Sequence, residues 1–281
     1  SAASDVYKRQ MLCSTDASAV GALLRPLAGK LPGRLMDLIE CESGFNDPVA
    51  VVLASLAMAM GMGTETATAS QLMLDGVRQF LLGALVGFLG GSLARQVLSA
   101  RRSPAASSLM AVVSLAVLFL LVGGAQLIGG SGILAAYIAG LVLANSIECD
   151  RGLLVEAHAG FAKMAELMLF LCLGLVVQGD AVLDIFVWVV VLFVVVQLAR
   201  WLMVELMLMR AGFRRAEKLM ISLCGLRGAV PIAVAIQAAS SPVPWGSVMP
   251  PLALGVVLLG LLVQGMTLVP AARRLGLASE R

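Results

Sequence analysis

The chain reads as a succession of long apolar runs divided by short polar connections. Nine runs can be drawn, over 11–28, 35–62, 72–98, 106–128, 131–147, 161–178, 181–209, 216–240 and 247–270. They do not alternate with period two, as half-buried strands would. Each approaches or exceeds the roughly 20 residues a helix needs to cross a bilayer. The pattern predicts an all-α integral membrane protein. The polar stretch from Glu148 to Lys163 reads as a short amphipathic helix lying at the membrane surface.

The basic residues orient this array. Arg25, Lys30 and Arg34 lie between runs one and two, and Arg95, Arg101 and Arg102 follow run three. Arg151 and Lys163 precede run six, Arg210, Arg214, Arg215 and Lys218 join runs seven and eight, and Arg273, Arg274 and Arg281 form the tail. The alternate connections, 63–71, 129–130, 179–180 and 241–246, contain neither Lys nor Arg. A count of nine places every basic connection on one side, which the positive-inside rule makes cytoplasmic together with the C-terminus.

Composition agrees. Sixty per cent of the 281 residues are hydrophobic and 13% are charged, against about 25% charged in a typical soluble domain. The five cysteines, Cys13, Cys41, Cys149, Cys172 and Cys224, stand singly in or beside apolar runs and form no CxxC pair. They read as small hydrophobes, and the single histidine, His158, as an interfacial residue. Gly123-Gly124 and Gly129-Gly130-Ser131-Gly132 fall at helix ends, where they suggest close helix packing and turns in place of a nucleotide cradle. Residues 1–10 (SAASDVYKRQ) lack the h-region of a signal peptide. They resemble translated adapter sequence, so they are read as non-native and the true N-terminus as missing.

Charges inside apolar helices are costly and point to function. Run two holds Glu40, Glu42, Ser43, Asn46, Asp47 and Pro48. Ser43 and Asp47 are i, i+4 neighbours, so Ser43, Asn46 and Asp47 share a helix face offering oxygen ligands. A carboxylate there can hold a cation or a proton; the alternative is a polar packing cluster. Run one contains Ser14-Thr15-Asp16, which suits either a locally unwound helix with carbonyl ligands or an N-cap at the membrane surface. Run eight carries Arg227 between Leu226 and Gly228, with Pro231 following. Gly228 and Pro231 both weaken a helix, which predicts a break there. Arg227 needs an acidic partner, and Glu42, pointing away from the Asp47 face, is the residue chosen for it. Arg200 and Glu205, deep in run seven, are read as pairing within the bundle.

Ser14-Thr15-Asp16-Ala17, Glu42-Ser43-Gly44-Phe45-Asn46-Asp47-Pro48 and Gly225-Leu226-Arg227-Gly228-Ala229-Val230-Pro231, in that order on three helices, resemble the bacterial monovalent cation/proton antiporter family. The resemblance covers nearly all of 11–275. It implies a fold of about 13 helices with inverted repeats, two of them crossed and unwound, of which this chain holds the last nine. Residues 11–275 would then be a partial exchanger domain and 276–281 a short tail.

By the same resemblance Asp47 is the essential cation- and proton-binding carboxylate. Asp16, Ser43 and the Thr15 carbonyl are supporting ligands for a transient Na+ or K+, and Glu42 and Arg227 form a structural ion pair near Asn46. The Asn46-Asp47 pair resembles the electroneutral type. The implied protein is a homodimeric transporter in a bacterial inner membrane, not an enzyme. Its partners are cation, proton and lipid, with no nucleic acid and no cofactor. A cation channel, an inactive fragment and an intramembrane hydrolase are the other readings; the Gly-x-Gly-Asp motif of membrane aspartyl proteases is absent around Asp16 and Asp47.

Overall fold

The computed structural model describes residues 17–27, 31–61, 69–99, 107–146 and 151–277. Twelve α-helices are seen among them. They are α1 (Ala17–Leu24), α2 (Gly33–Gly61), α3 (Ala69–Ser99), α4 (Ser107–Leu127), α5 (Gly132–Ala144) and α6 (Arg151–Val176). They continue with α7 (Gly179–Asp184), α8 (Phe186–Met207), α9 (Arg215–Leu223), α10 (Ala229–Ala239), α11 (Met249–Gly260) and α12 (Met266–Arg274). A π turn, Leu261–Gly265, joins α11 to α12. No strand occurs among the described residues. Five segments are long and apolar enough to cross a membrane: Gly33–Gly61, Met73–Leu98, His158–Val176, Phe186–Met207 and Gly246–Arg274.

Where they are described, the apolar runs are helical apart from turns, with two departures from the expected boundaries and one expected break. Run six begins at Arg151, so most of the stretch read as a surface helix is the first half of α6. Its apolar spacing continues into the run with no proline to stop it, and helix propagation adds a bond per residue. Run seven is divided at Ile185 into α7 and α8. Run eight is broken as predicted: α9 stops at Leu223, residues 225–228 are non-helical, and α10 starts at Ala229. Pro231 falls in the first turn of α10, where its missing N–H has no helical partner to lose.

Two compact units divide the chain. One comprises the described parts of Ser1–Ala50, Ala57–Met62 and Leu169–Arg281. Its main core joins Val20 and Leu24 of α1, Leu35 and Ile39 of α2, Met220 and Ile221 of α9, and Leu268 and Ala272 of α12. Leu226, in the broken segment, is fully buried in the same cluster. The break is thus packed into a core and is not a surface loop.

The other unit comprises Val51–Leu56 and the described parts of Gly63–Met168. Here α3 lies against α5 along Gly83, Gly87 and Gly91. A Cβ at Gly83 would sit 2.6 Å from the Ser131 carbonyl oxygen, at Gly87 2.6 Å from that of Ala135, and at Gly91 2.8 Å from the Ala139 Cα. The i, i+4, i+8 spacing places three glycines on one stripe, and the backbones close on each other as small residues allow in membranes. Gly130 and Gly132 make similar close approaches, to Gly83 and Val122. Gly123 and Gly124 do not: a Cβ on either meets nothing within 4 Å. Among the described residues, then, this pair does not make the close approach read for it.

Candidate functional site

The candidate site is built on α2. Ile39, Ser43 and Ala50 are buried and Asp47 is half-buried, while Cys41, Phe45 and Val49 are exposed. The spacing 39, 43, 47, 50 is that of one helical face. Ser43 and Asp47 thus lie on the protein-facing stripe, with Asn46 half-buried beside it. Pro48 sits inside this helix. It has no N–H to give the carbonyl of Gly44, so an oxygen acceptor is released one residue from Ser43. Asp16 and Thr15, the other expected ligands, lie outside the described residues.

Glu42 leaves the helix in another direction and meets an arginine, but not the expected one. Arg200 of α8 contacts it at two points: Nη1 donates to Oε1 at 2.6 Å and Nη2 to Oε2 at 2.9 Å. The side chains are 10% exposed for Arg200 and 32% for Glu42. This parallel fork is the strong geometry for a guanidinium and a carboxylate. The sequence had set Arg227 against Glu42; the guanidinium seen on this carboxylate is that of Arg200. Arg227 is buried at 5% in the broken segment, beside fully buried Leu226.

The reason Arg200 takes Glu42 lies at the end of α9. A helix leaves its last four carbonyls without intrahelical partners, and a bilayer supplies no water to meet them. In α9 all four are met. The Met220 carbonyl accepts from the Cys224 N–H at 2.9 Å. The Ile221 carbonyl accepts from Arg200 Nη2 at 3.1 Å. The Ser222 carbonyl accepts from Arg200 Nε at 3.2 Å and from Gln197 Nε2 at 3.1 Å. The Leu223 carbonyl accepts from Gln264 Nε2 at 3.1 Å. Arg200 is therefore fixed by two carbonyls of the broken helix before it reaches Glu42. Its positive charge also stands at the negative end of the α9 dipole.

Gly225 completes this arrangement. A Cβ there would run into Nε and Cδ of Arg200. The glycine lets the guanidinium stem lie against the backbone of the break. Two further contacts tie neighbouring turns. Lys218 of α9 donates to Glu205 of α8 at 3.0 Å, and Arg34 at the start of α2 donates to the Ala211 carbonyl at 2.7 Å while covering the Phe213 ring at 4.0 Å. Arg200 and Glu205 do pair within the bundle, each with a residue from another helix.

Sequence reasoning passed over Gln197 and Gln264. Gln264 had a readable signal, because it is the sole amide side chain in 247–270. Nothing in the sequence marked it as a donor to α9.

Comparisons with known proteins agree with this architecture. The family described as "Sodium/hydrogen exchanger, transmembrane" matches residues 11–274. The K(+)/H(+) antiporter NhaP2 of Shewanella oneidensis is 35% identical over 263 residues, covering 92% of this chain and 45% of that protein. The K(+)/H(+) antiporter NhaP of Alkalimonas amylolytica is 30% identical, with 95% of this chain and 46% of that protein covered. The Na(+)/H(+) antiporter NhaH of Halobacillus aidingensis is 27% identical, with 95% and 68% covered. The chain thus spans about half the length of the two potassium-named relatives.

Among solved structures, the sodium proton antiporter MjNhaP1 of Methanocaldococcus jannaschii superposes with a TM-score of 0.79 at 20% identity, covering 95% of this chain and 70% of that one. The fold is that of this antiporter. A helix carrying an interior carboxylate, a second helix broken in a packed core, and a family match running almost end to end make this chain a member of the sodium/hydrogen exchanger transmembrane family.

Proposed function

We propose that the protein exchanges a monovalent cation, Na+ or K+, for H+ by alternating access. Asp47 is the carrier. Its carboxylate holds either the cation or the proton, and competition at one group makes the exchange obligatory and pH-sensitive. Ser43, Asn46 and the released Gly44 carbonyl supply oxygens from α2, and Asp16 and the Thr15 carbonyl supply more. One carboxylate trading one proton for one cation moves no net charge, so the exchange is electroneutral. The ions are cargo, and no cofactor takes part. The protein works as a homodimer in a bacterial inner membrane with its C-terminus cytoplasmic. That orientation rests on the one-sided placement of the basic connections.

The observation that carries the reading is the anchoring of α2. Glu42 stands one residue before Ser43 and is held through Arg200 to the carbonyl end of the broken helix. The turn bearing Ser43 and Asp47 is thereby tied to a backbone irregularity inside the core. Irregular backbone at membrane depth occurs where it is buried in protein or lines a cavity, and broken helices are where secondary transporters bind ions. The relatives named for potassium share more identity with this chain than the one named for sodium, so K+ is the first cation to test.

The test is purified protein in vesicles loaded with a pH-sensitive dye. Added K+ or Na+ should drive saturable proton movement, and an imposed membrane voltage should not change its rate. Asp47→Asn should abolish the exchange while the protein still inserts. Normal exchange by that variant, or uncoupled ohmic flux in the wild type, would overturn the reading.

A further inference from the structure

The membrane segment Gly246–Arg274 contains an interruption that the exchange reading does not use. Between α11 and α12 the backbone widens into the π turn Leu261–Gly265. A π turn inserts one residue into the helical register, which rotates the remainder of the helix by about 100°. Such turns concentrate at functional sites. This one carries Gln264, which is 3% exposed. A buried amide in an apolar helix is unfavourable unless hydrogen-bonded, and this one donates to the Leu223 carbonyl of α9 at 3.1 Å. Thr267 supports the widened turn: its hydroxyl donates to the carbonyls of Val263 at 2.7 Å and Gln264 at 3.2 Å.

Leu223 is the last helical residue before the break. Of the four terminal carbonyls of α9, two are met from α8 and one by the local backbone. The fourth, nearest the unwound residues, is met among the described residues from the π turn. Gln264 differs from Arg200 in being neutral. It adds a donor without adding charge, so it can hold the break in place without altering the field that sets the proton and cation affinities of a nearby carboxylate.

We propose that Gln264 is a positioning residue for cation exchange: the π turn presents its amide to the carbonyl end of α9 and thereby fixes the unwound segment 224–228. The proposal rests on the assignment of the protein as a cation/proton exchanger. If the segment is released, the binding-competent arrangement is populated for only a fraction of the time, and the apparent cation affinity falls by that fraction. The step that moves the loaded site is left alone.

Gln264→Met keeps the side-chain length and removes the donor. The cation KM should rise about tenfold, the value of one hydrogen bond to a buried acceptor, with the maximal rate retained. Hydrogen–deuterium exchange at the amides of 224–228 should speed up by a similar factor, while amides in α3 and α5 keep their protection. A merely structural role would lower the maximal rate per milligram and leave KM unchanged, and that result overturns the proposal. So does unaltered KM together with unaltered amide exchange. Thr267→Val leaves Gln264 in place and loosens the π turn; it should move both readouts the same way by a smaller factor, and it carries the test if Gln264→Met does not accumulate. If the wild type moves no protons against K+ or Na+, the exchange reading fails by itself. The amide-exchange comparison then decides whether Gln264 holds the break, faster exchange at 224–228 supporting the latch and unchanged exchange removing it.

Discussion

The break between α9 and α10 and the close contact of α3 with α5 are two answers to one constraint. Backbone polar groups inside a membrane must find partners within the protein. In the α3–α5 pair both helices run without interruption, and Gly83, Gly87 and Gly91 let the two backbones approach. At the break the ladder is lost, and three side chains of two other helical segments replace it. Continuity needs only small residues at a fixed spacing. Interruption needs particular donors at particular places, and those donors can also anchor a charge. The α2 turn that bears Ser43 is tied to the second arrangement, through Glu42 and Arg200.

The sharpest way to break the first arrangement is size. Gly87→Leu would drive a side chain into the Ala135 backbone, where even a Cβ has no room. Overpacking of this kind against backbone should cost about 3 kcal/mol or more. The expected result is loss of the monodisperse peak in detergent, with little protein to recover.

For the second arrangement, charge is the lever. Arg200→Met leaves Glu42 without its guanidinium and frees the Ile221 carbonyl. Removing one partner of a buried pair costs about 3–5 kcal/mol, and the partial exposure of Glu42 places this variant near the lower end. Its melting temperature in detergent should fall clearly. Glu42→Gln combined with Arg200→Met should recover part of that loss, and a double variant no better than the single would show that the pair is not the cause. Gly225→Ala acts on the same guanidinium by pushing its stem away from the break. A cost of about 1–2 kcal/mol is expected, read as a smaller drop in melting temperature.

The mildest change sharpens the contrast from the other side. Gly123→Ala adds a methyl group where nothing lies within 4 Å. Helix propensity then favours alanine by up to about 1 kcal/mol, so the melting temperature should hold or rise slightly. A drop as large as that of Gly225→Ala would mean that Gly123 meets a neighbour after all.

Much of this could be read from the sequence, for identifiable reasons. The helices follow from runs of apolar residues, since hydropathy reports the solvent and the solvent dictates the helix. The break at 224–228 follows from Gly228 and Pro231, which act through local backbone chemistry. The choice of arginine for Glu42 does not follow. Arg200 and Arg227 both lie deep in apolar runs, and which one faces Glu42 depends on how three helices are rotated about their axes. Gly83, Gly87 and Gly91 had a legible spacing, whereas Gly123-Gly124 drew attention only by adjacency. The π turn had no local signal, because Leu-Leu-Val-Gln-Gly is as compatible with an α-helix. For Ser43, Asn46 and Asp47, the inward stripe of α2 was predictable from helical periodicity, and Asp16 and Thr15 lie beyond the described residues.

The Leu223–Gln264 contact also bears on how the molecule is made. Its two halves are 41 residues apart, and ribosomes add about 5–20 residues per second. Arg200 and Gln197 have already emerged when the end of α9 is synthesised, so two of its carbonyls can be met at once. The Leu223 carbonyl waits about 2 to 8 seconds more for its donor to exist. During that interval the broken helix must lean on water or on the insertion machinery. Release of this segment into lipid is therefore timed by the arrival of the π turn that carries Gln264.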